Sequence, residues 1–363
     1  MVTVPGGTLT TTGLGSGTSS ALGSAIQALN ASNSTFASST LATASVSGGG
    51  SSNAVIASGT IVATTASGNG TVDLSKQTGA GVNIVTQAAG TVNSIVLGAA
   101  VSSMVALNDT SGNVVYTGGG NDTVIAGAGN AVIGVAATGA GNANIVLGSG
   151  TATVVAASGN NTIVGGTGGG LFGLGTGNNT VNLGSATGVT VFGGAGAATI
   201  SGGTNSTVVG GSGAQTITGG NGDVLFAGTG TGNLITAGSG SEIISGALSS
   251  GNNTYAAGSG TALIAAGKGN DTILGGTGNT TMFGGSGNDL FSFSTAGKGG
   301  STVISNFSAT DKLTFQGYGL TASQLLANSV SVTTNGTAFT TITLTDGTKV
   351  VVIGAALSTS SFS

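Results

Sequence analysis

The chain has 363 residues, 74 of them glycine, with one proline, no cysteine and no histidine, and only 4% of it is charged. Nine acids against five lysines give a net charge of −4, and no basic residue lies between Lys76 and Lys268, which argues against nucleic-acid binding and against docking on an anionic membrane surface. Without cysteine there is neither a disulfide framework nor a thiolate metal site, and no run of about 18 apolar residues is available to cross a membrane as a helix.

Residues 1–45 are rich in Ser and Thr and read as a tail or capping segment. Within them SALGSAIQALNAS (20–32) sets Leu22, Ile26 and Leu29 on one helical face, suited either to capping the open end of a stacked fold or to fraying. The start, MVTVPGGTLTTTGLG, has no basic residue and no apolar stretch, so a Sec leader is not expected and export would need another route. From 46 to 117, segments such as TIVATTASG, VNIVTQAAG and NVVYTGG are strand-like but unevenly spaced, and read as irregular solenoid coils.

Residues 118–296 carry a nine-residue repeat, clearest in NDTILGGTG (270–278) and NTTMFGGSG (279–287). A bulky apolar residue recurs in the fourth slot of every unit, from Val124 and Ile133 through Leu225 or Phe226 to Met282 and Phe291. Glycine pairs follow it, where tight turns need positive φ, so each unit reads as a short strand and a turn. An antiparallel sandwich could also use such strands, but a fixed period favours stacked coils, because one unit cannot bury its own apolar residue. The fold expected is all-β: a parallel β-solenoid with a small β-rich C-terminal cap over 297–363. That cap contains a short helix, TASQLLANS (321–329), and a hairpin at Asp346-Gly347.

If two units make one coil, positions 18 apart share an edge. One edge carries Asp122, Ala143, Asn161, Asn179, Ala198, Gln215, Asn233, Asn253, Asp271 and Asp289. The other carries Ala131, Ala152, Gly170, Thr190, Ser206, Asp223, Glu242, Ala262 and Thr280. The first is largely an amide ladder, since Asn both donates and accepts where a carboxylate would need a cation. The third-slot threonines (Thr123, Thr153, Thr162, Thr180, Thr199, Thr207, Thr216, Thr254, Thr272, Thr281) are expected to change edge irregularly.

TGGGNDTVI (117–125), AGKGNDTIL (266–274) and GGSGNDLFS (284–292) resemble the calcium-binding nonapeptide of the RTX, or repeats-in-toxin, family, G-G-x-G-x-D-x-U-x. The resemblance implies a β-roll whose glycine-rich turns hold Ca²⁺. Calcium takes six to eight oxygens, more than one loop supplies, so two stacked loops must share it. Asp271 and Asp289 would then bind one ion with the carbonyls of Gly267, Gly269, Gly285 and Gly287. Asn253 and Asp122 on the same edge, and Asp223 with Glu242 on the other, complete the candidate set, for one to three ions in all. Most units depart from the family pattern, which sets calcium-driven folding of the whole roll aside. FSFSTAGKGGSTVISNFSATDKLTF (291–315) resembles the segment after RTX repeats in type I secreted proteins, implying an uncleaved secretion signal and a type I export machinery as partner.

With no His, Cys or Arg, and with its only stacked acids in turns, the chain lacks the groups that titrate or attack usefully in an enzyme. The function expected is a secreted structural protein that self-associates, as a homo-oligomer or polymer, into a surface layer, biofilm matrix or fibre. An adhesin, with a cell-surface polysaccharide as partner, or an ice-binding solenoid is the alternative.

Overall fold

The computed structural model describes residues 112–363 except 137–140 and 298; before 112 it describes 2–4, 7–9, 41–47, 51–53, 61–67, 70–75, 82–87, 93–99, 102–107 and 110. The expected helical patch at 20–32 lies outside the described residues. The chain divides into two compact units, Met1–Val189 and Thr190–Ser363.

In the first unit the strands Leu41–Ser47, Ile61–Ser67, Val82–Gln87, Ser102–Ala106, Asp122–Ile125, Ala143–Val146, Thr162–Val164 and Asn179–Asn182 pair in parallel, each with the next, as sheet A. The strands between them, Ser51–Asn53, Gly70–Asp73, Asn93–Val96, Asn113–Thr117, Ala131–Val135, Ala152–Ala156 and Gly170–Leu174, pair in parallel as sheet B. The chain alternates between the sheets, so two strands complete each coil. The irregular stretch before residue 118 thus has the same parallel pairing as the regular repeat.

The second unit repeats the arrangement. Sheet A runs from Ala198–Ser201 through Gln215–Thr218, Leu234–Thr236, Thr254–Ala256, Thr272–Leu274 and Leu290–Ser294 to Lys312–Gln316. Sheet B includes Thr207–Val209, Val224–Phe226, Ser241–Ser245, Thr261–Ala265, Asn279–Phe283 and Ser301–Phe307. The solenoid therefore continues past residue 296, where the cap was expected to begin. The spacing changes there, but Ile304 and Leu313 keep the inward apolar slot, and both are buried.

The fourth-slot residues form the core, every one buried from Val124 to Phe291. Each contributes roughly 1.5–3 kcal/mol on burial. Leu225 takes the inward position and Phe226 is half-buried on the outside, settling the ambiguous unit. Thr190 points outward beside Thr207, and Val189 is the inward residue, which corrects the expected column. The irregular turn before it, with Gly184 and Gly188 both at positive φ, hides this register from spacing alone.

At the C-terminus, Ser301–Phe307 pairs in parallel with Lys349–Gly354. Antiparallel partners Thr337–Thr343 and Ser329–Thr334 then follow in order. Leu344, Thr348 and Gly347, with φ +89°, close the hairpin at Asp346-Gly347. The helix Ala322–Ala327 starts at a capping box in which Thr321 and Gln324 exchange hydrogen bonds. Among the described residues no helix is long and apolar enough to cross a membrane.

Candidate metal centre

In most sheet A units, Ala143 and Ala198 excepted, the second slot turns a polar side chain inward at the turn. Asp122, Asn161, Asn179, Gln215, Asn233, Asn253, Asp271, Asp289 and Asp311 are all buried there. Burying such groups is costly unless every polar atom finds a partner. The stacking supplies one set of partners: the side-chain oxygen of each rung accepts the backbone N–H of the same slot one coil earlier, except at Gln215, whose Oε1 is buried without a partner. Gln215 N donates to Asn233 Oδ1 at 2.9 Å, Asn233 N to Asn253 Oδ1 at 3.1 Å and Asn253 N to Asp271 Oδ1 at 2.7 Å. Asp271 N donates to Asp289 Oδ1 at 2.9 Å, and Asp289 N to Asp311 Oδ1 at 3.1 Å.

The other side-chain atom separates the two kinds of rung. In the amide rungs it is an NH₂ that closes onto the carbonyls of its own turn. Asn253 Nδ2 donates to Gly251 O at 2.7 Å and Ser249 Oγ at 3.0 Å, Asn233 Nδ2 to Gly230 O at 2.9 Å, and Asn161 Nδ2 to Ser158 O and Gly159 O at 2.9 and 3.0 Å. In the acid rungs the corresponding atom is a carboxylate oxygen with no proton to give. Oδ2 of Asp122, of Asp271 and of Asp289 is buried without a hydrogen bond.

Burial pushes Asp271 up to about 7, against the pull of the Asn253 amide and with help from the Asp289 charge. Asp289 is raised by burial and by Asp311, opposed by the Asp271 amide. Asp122 is raised by burial to about 7, against the Ser103 and Gly118 amides. A cation or a proton is what these oxygens lack.

The turns beside Asp271 and Asp289 have the shape to supply a cation. Gly267, Gly269, Gly285 and Gly287 all have positive φ, from 96° to 138°. A Cβ on Gly285 would sit 2.0 Å from Gly267 O, and one on Gly284 would sit 2.4 Å from Asp289 Oδ2, so glycine is required for the loops to close on the carboxylate. The two turns run side by side, with Ser286 N donating to Gly267 O at 2.9 Å and Gly269 N to Ser286 O at 3.1 Å. Gly287 O accepts the Thr310 hydroxyl at 3.3 Å. Each carbonyl keeps a second lone pair. Two orphaned carboxylate oxygens beside glycine carbonyls form an all-oxygen donor set, which fits a hard cation such as Ca²⁺.

The remaining candidates differ. Asn253 spends its Oδ1 on the Asn233 amide and side chain and its Nδ2 on its own turn, so it is a self-sufficient rung and no ligand atom is left over. Asp223 Oδ1 accepts Ser206 N and its Oδ2 accepts Gly220 N, both at 2.7 Å, making it a turn staple. Glu242, beside it, takes Gly240 N on Oε1 at 3.0 Å and leaves Oε2 without a partner. Burial raises both acids, and the Asp223 charge raises Glu242 further. Among the described residues no group of three His, Cys, Asp or Glu converges, so carbonyls must complete any shell.

Two features escape the sequence reading. Asp311 ends the ladder, with Ser308 N on its Oδ2 at 2.8 Å as well as Asp289 N on its Oδ1. Its 22-residue distance from Asp289 hides it from an 18-residue search. A second, exposed ladder runs in the opposite sense: Asn160 N donates to Asn142 Oδ1, Asn178 N to Asn160 Oδ1, Asn270 N to Asn252 Oδ1 and Asn288 N to Asn270 Oδ1, at 2.7–2.8 Å. The recurrence of Asn immediately before the second slot, as in NNT and NDT, is its signal.

A two-sheet parallel solenoid whose glycine turns present stacked carboxylates and amides is a β-roll. The family model of the RTX calcium-binding nonapeptide repeat (4 copies) matches residues 109–133, 248–281 and 256–291. These segments contain three of the four acids with orphaned oxygens, Asp122, Asp271 and Asp289, whereas the fourth, Glu242, and its neighbour Asp223 lie outside them. The repeats and the solenoid together fit the RTX β-roll family, whose nonapeptides bind calcium. No curated protein matches the chain significantly.

Proposed function

We propose that the chain is a secreted, non-enzymatic structural protein that self-associates in a surface layer, biofilm matrix or fibre, and that calcium locks it locally at Asp271 and Asp289. The observation that carries this reading is the mixed ladder. Amide rungs at 233 and 253 satisfy both side-chain atoms and close their own turns without metal, while the acid rungs at 271 and 289 do not. A sensor would put carboxylates along its whole length; this chain keeps most of its coils independent of calcium, as suits a scaffold. Among the described residues, every acid in the turns of the repeat is engaged in the ladder or a turn, which supports a structural role over a catalytic one. The C-terminal resemblance supports type I export.

Electron microscopy of the purified protein with and without a chelator tests both parts. Ordered assemblies in millimolar calcium, with coils that stay folded after chelation, are the expected result. Dispersed monomers in calcium would refute self-association, and complete unfolding on chelation would refute local locking.

A specific observation favours a second reading. The threonines change edge unevenly, as expected, but most share one sheet: Thr123, Thr162, Thr180, Thr199, Thr216, Thr254 and Thr272 lie on sheet A, and Thr153, Thr207 and Thr281 on sheet B. In the second unit Thr199 and Thr216 stand beside a further row, Ser201, Thr218 and Thr236, broken in the first row by Leu234. A regular hydroxyl array suits ordered water or a cell-surface polysaccharide. Thermal hysteresis and a polysaccharide pull-down distinguish these, and absence of both removes this reading.

A further inference from the structure

The last strand of the C-terminal extension, Ser329–Thr334, pairs with Thr337–Thr343 along one side. Its residues from Val330 to Thr334 are exposed. Among the described residues no other strand pairs with it, which leaves a row of backbone N–H and C=O groups on its other side. Proteins ordinarily close such an edge with a charge, a proline or a bulge. SVSVTT has no charge and no proline, and its register with Thr337–Thr343 is unbroken. Val330 and Val332, 68% and 59% exposed, share a face with Phe339, itself 39% exposed. Phe339 is in turn opposite Ile353, so the apolar row continues across the sheet.

We propose that this edge joins two copies of the chain, strand against strand and antiparallel about a twofold axis. The proposal rests on the self-associating reading above and assigns the contact. The segment Val330-Ser331-Val332 has the same polarity read in either direction, so the strand complements itself. With Ser331 opposite Ser331 of the second copy, Val330 of each meets Val332 of the other on one face. A neutral edge offers a charged foreign strand nothing to recognise, whereas it matches its own copy. Six residues extend about 20 Å, which covers on the order of 200–300 Å² per copy. A stable dimer needs about 800 Å² per partner. The contact is therefore concentration-dependent, forming where copies are crowded together.

The test uses the full chain with calcium present. Sedimentation over a concentration series is expected to show reversible dimerisation, and Val332→Lys is expected to shift its midpoint at least about tenfold upward without changing the melting temperature. Because the chain has no cysteine, Ser331→Cys introduces a single thiol, and directly opposed strand residues lie within disulfide reach. Ser331→Cys should crosslink into dimers on mild oxidation, whereas Thr345→Cys, exposed in a turn, should not. Undiminished association of Val332→Lys, or equal crosslinking of the two cysteine variants, overturns this interface. If Val332→Lys also assembles normally under the microscope, the structural reading stands without it. A wild-type chain that stays monomeric and forms no assemblies defeats both.

Discussion

Replacing Asp271 by Asn converts an acid rung into the amide rung that Asn253 already forms one coil earlier. In the metal-free protein at pH 8, Asp271 is charged and its Oδ2 faces the turn with no donor. The shift of its pKa from 3.8 to about 7 corresponds to at most about 4 kcal/mol against the folded state. A buried acceptor left unpaired ordinarily costs about 1–3 kcal/mol, which puts the net penalty at about 2 kcal/mol. Asn removes the charge and offers an NH₂ to Gly269 O, the equivalent of the Gly251 O that Asn253 bonds at 2.7 Å.

Asp271→Asn should therefore be more stable than wild type by about 2 kcal/mol in chelator, measured by urea unfolding, and should lose most of its stabilisation by calcium. The pH dependence has a definite sign. A carboxyl whose folded pKa is raised binds more protons folded than unfolded, so metal-free stability falls as pH rises from about 4 to about 7 and levels off above that. Asp271→Asn should flatten this slope. A variant less stable than wild type in chelator, or one that calcium stabilises equally, would refute the ladder reasoning.

Gly285→Ala forces a side chain into positive φ and against Gly267 O; calcium affinity measured by calorimetry should fall at least tenfold, with a loss of about 1–3 kcal/mol in stability. Tyr255→Phe removes the buried hydroxyl that donates to Ala266 O at 3.0 Å, and denaturant unfolding should show a cost of about 1–2 kcal/mol. Asp311→Ala strips acceptors from Asp289 N and Ser308 N; hydrogen exchange at these two amides should accelerate, and stability should drop by about 2–3 kcal/mol. If their exchange is unchanged, Asp311 does not terminate the ladder.

The parallel solenoid was legible because its core is periodic: one bulky residue per nine, held from Val124 to Phe291, has no other way to be buried. The sharing of an edge by Asp271 and Asp289 followed from the same spacing. Elsewhere the spacing misled. Units of eight to twelve residues shift the count, so Thr190 was expected where Val189 turns inward. The core position also outlasts the glycine pattern, because Ile304 and Leu313 keep it beyond residue 296.

Sequence alone determined the fold class, the inward slot and the calcium-like turns, because these depend on local rules of turn geometry and on apolar periodicity. Only the tertiary structure decided which buried oxygens go without partners. Asn253 and Asp271 occupy the same position and have nearly the same shape, and one atom separates them. Whether that atom needs a metal depends on the carbonyls facing it across a turn, a relation that chain spacing does not contain. The same holds for the open edge at Ser329–Thr334, since an edge exists only once every other strand has found its neighbour.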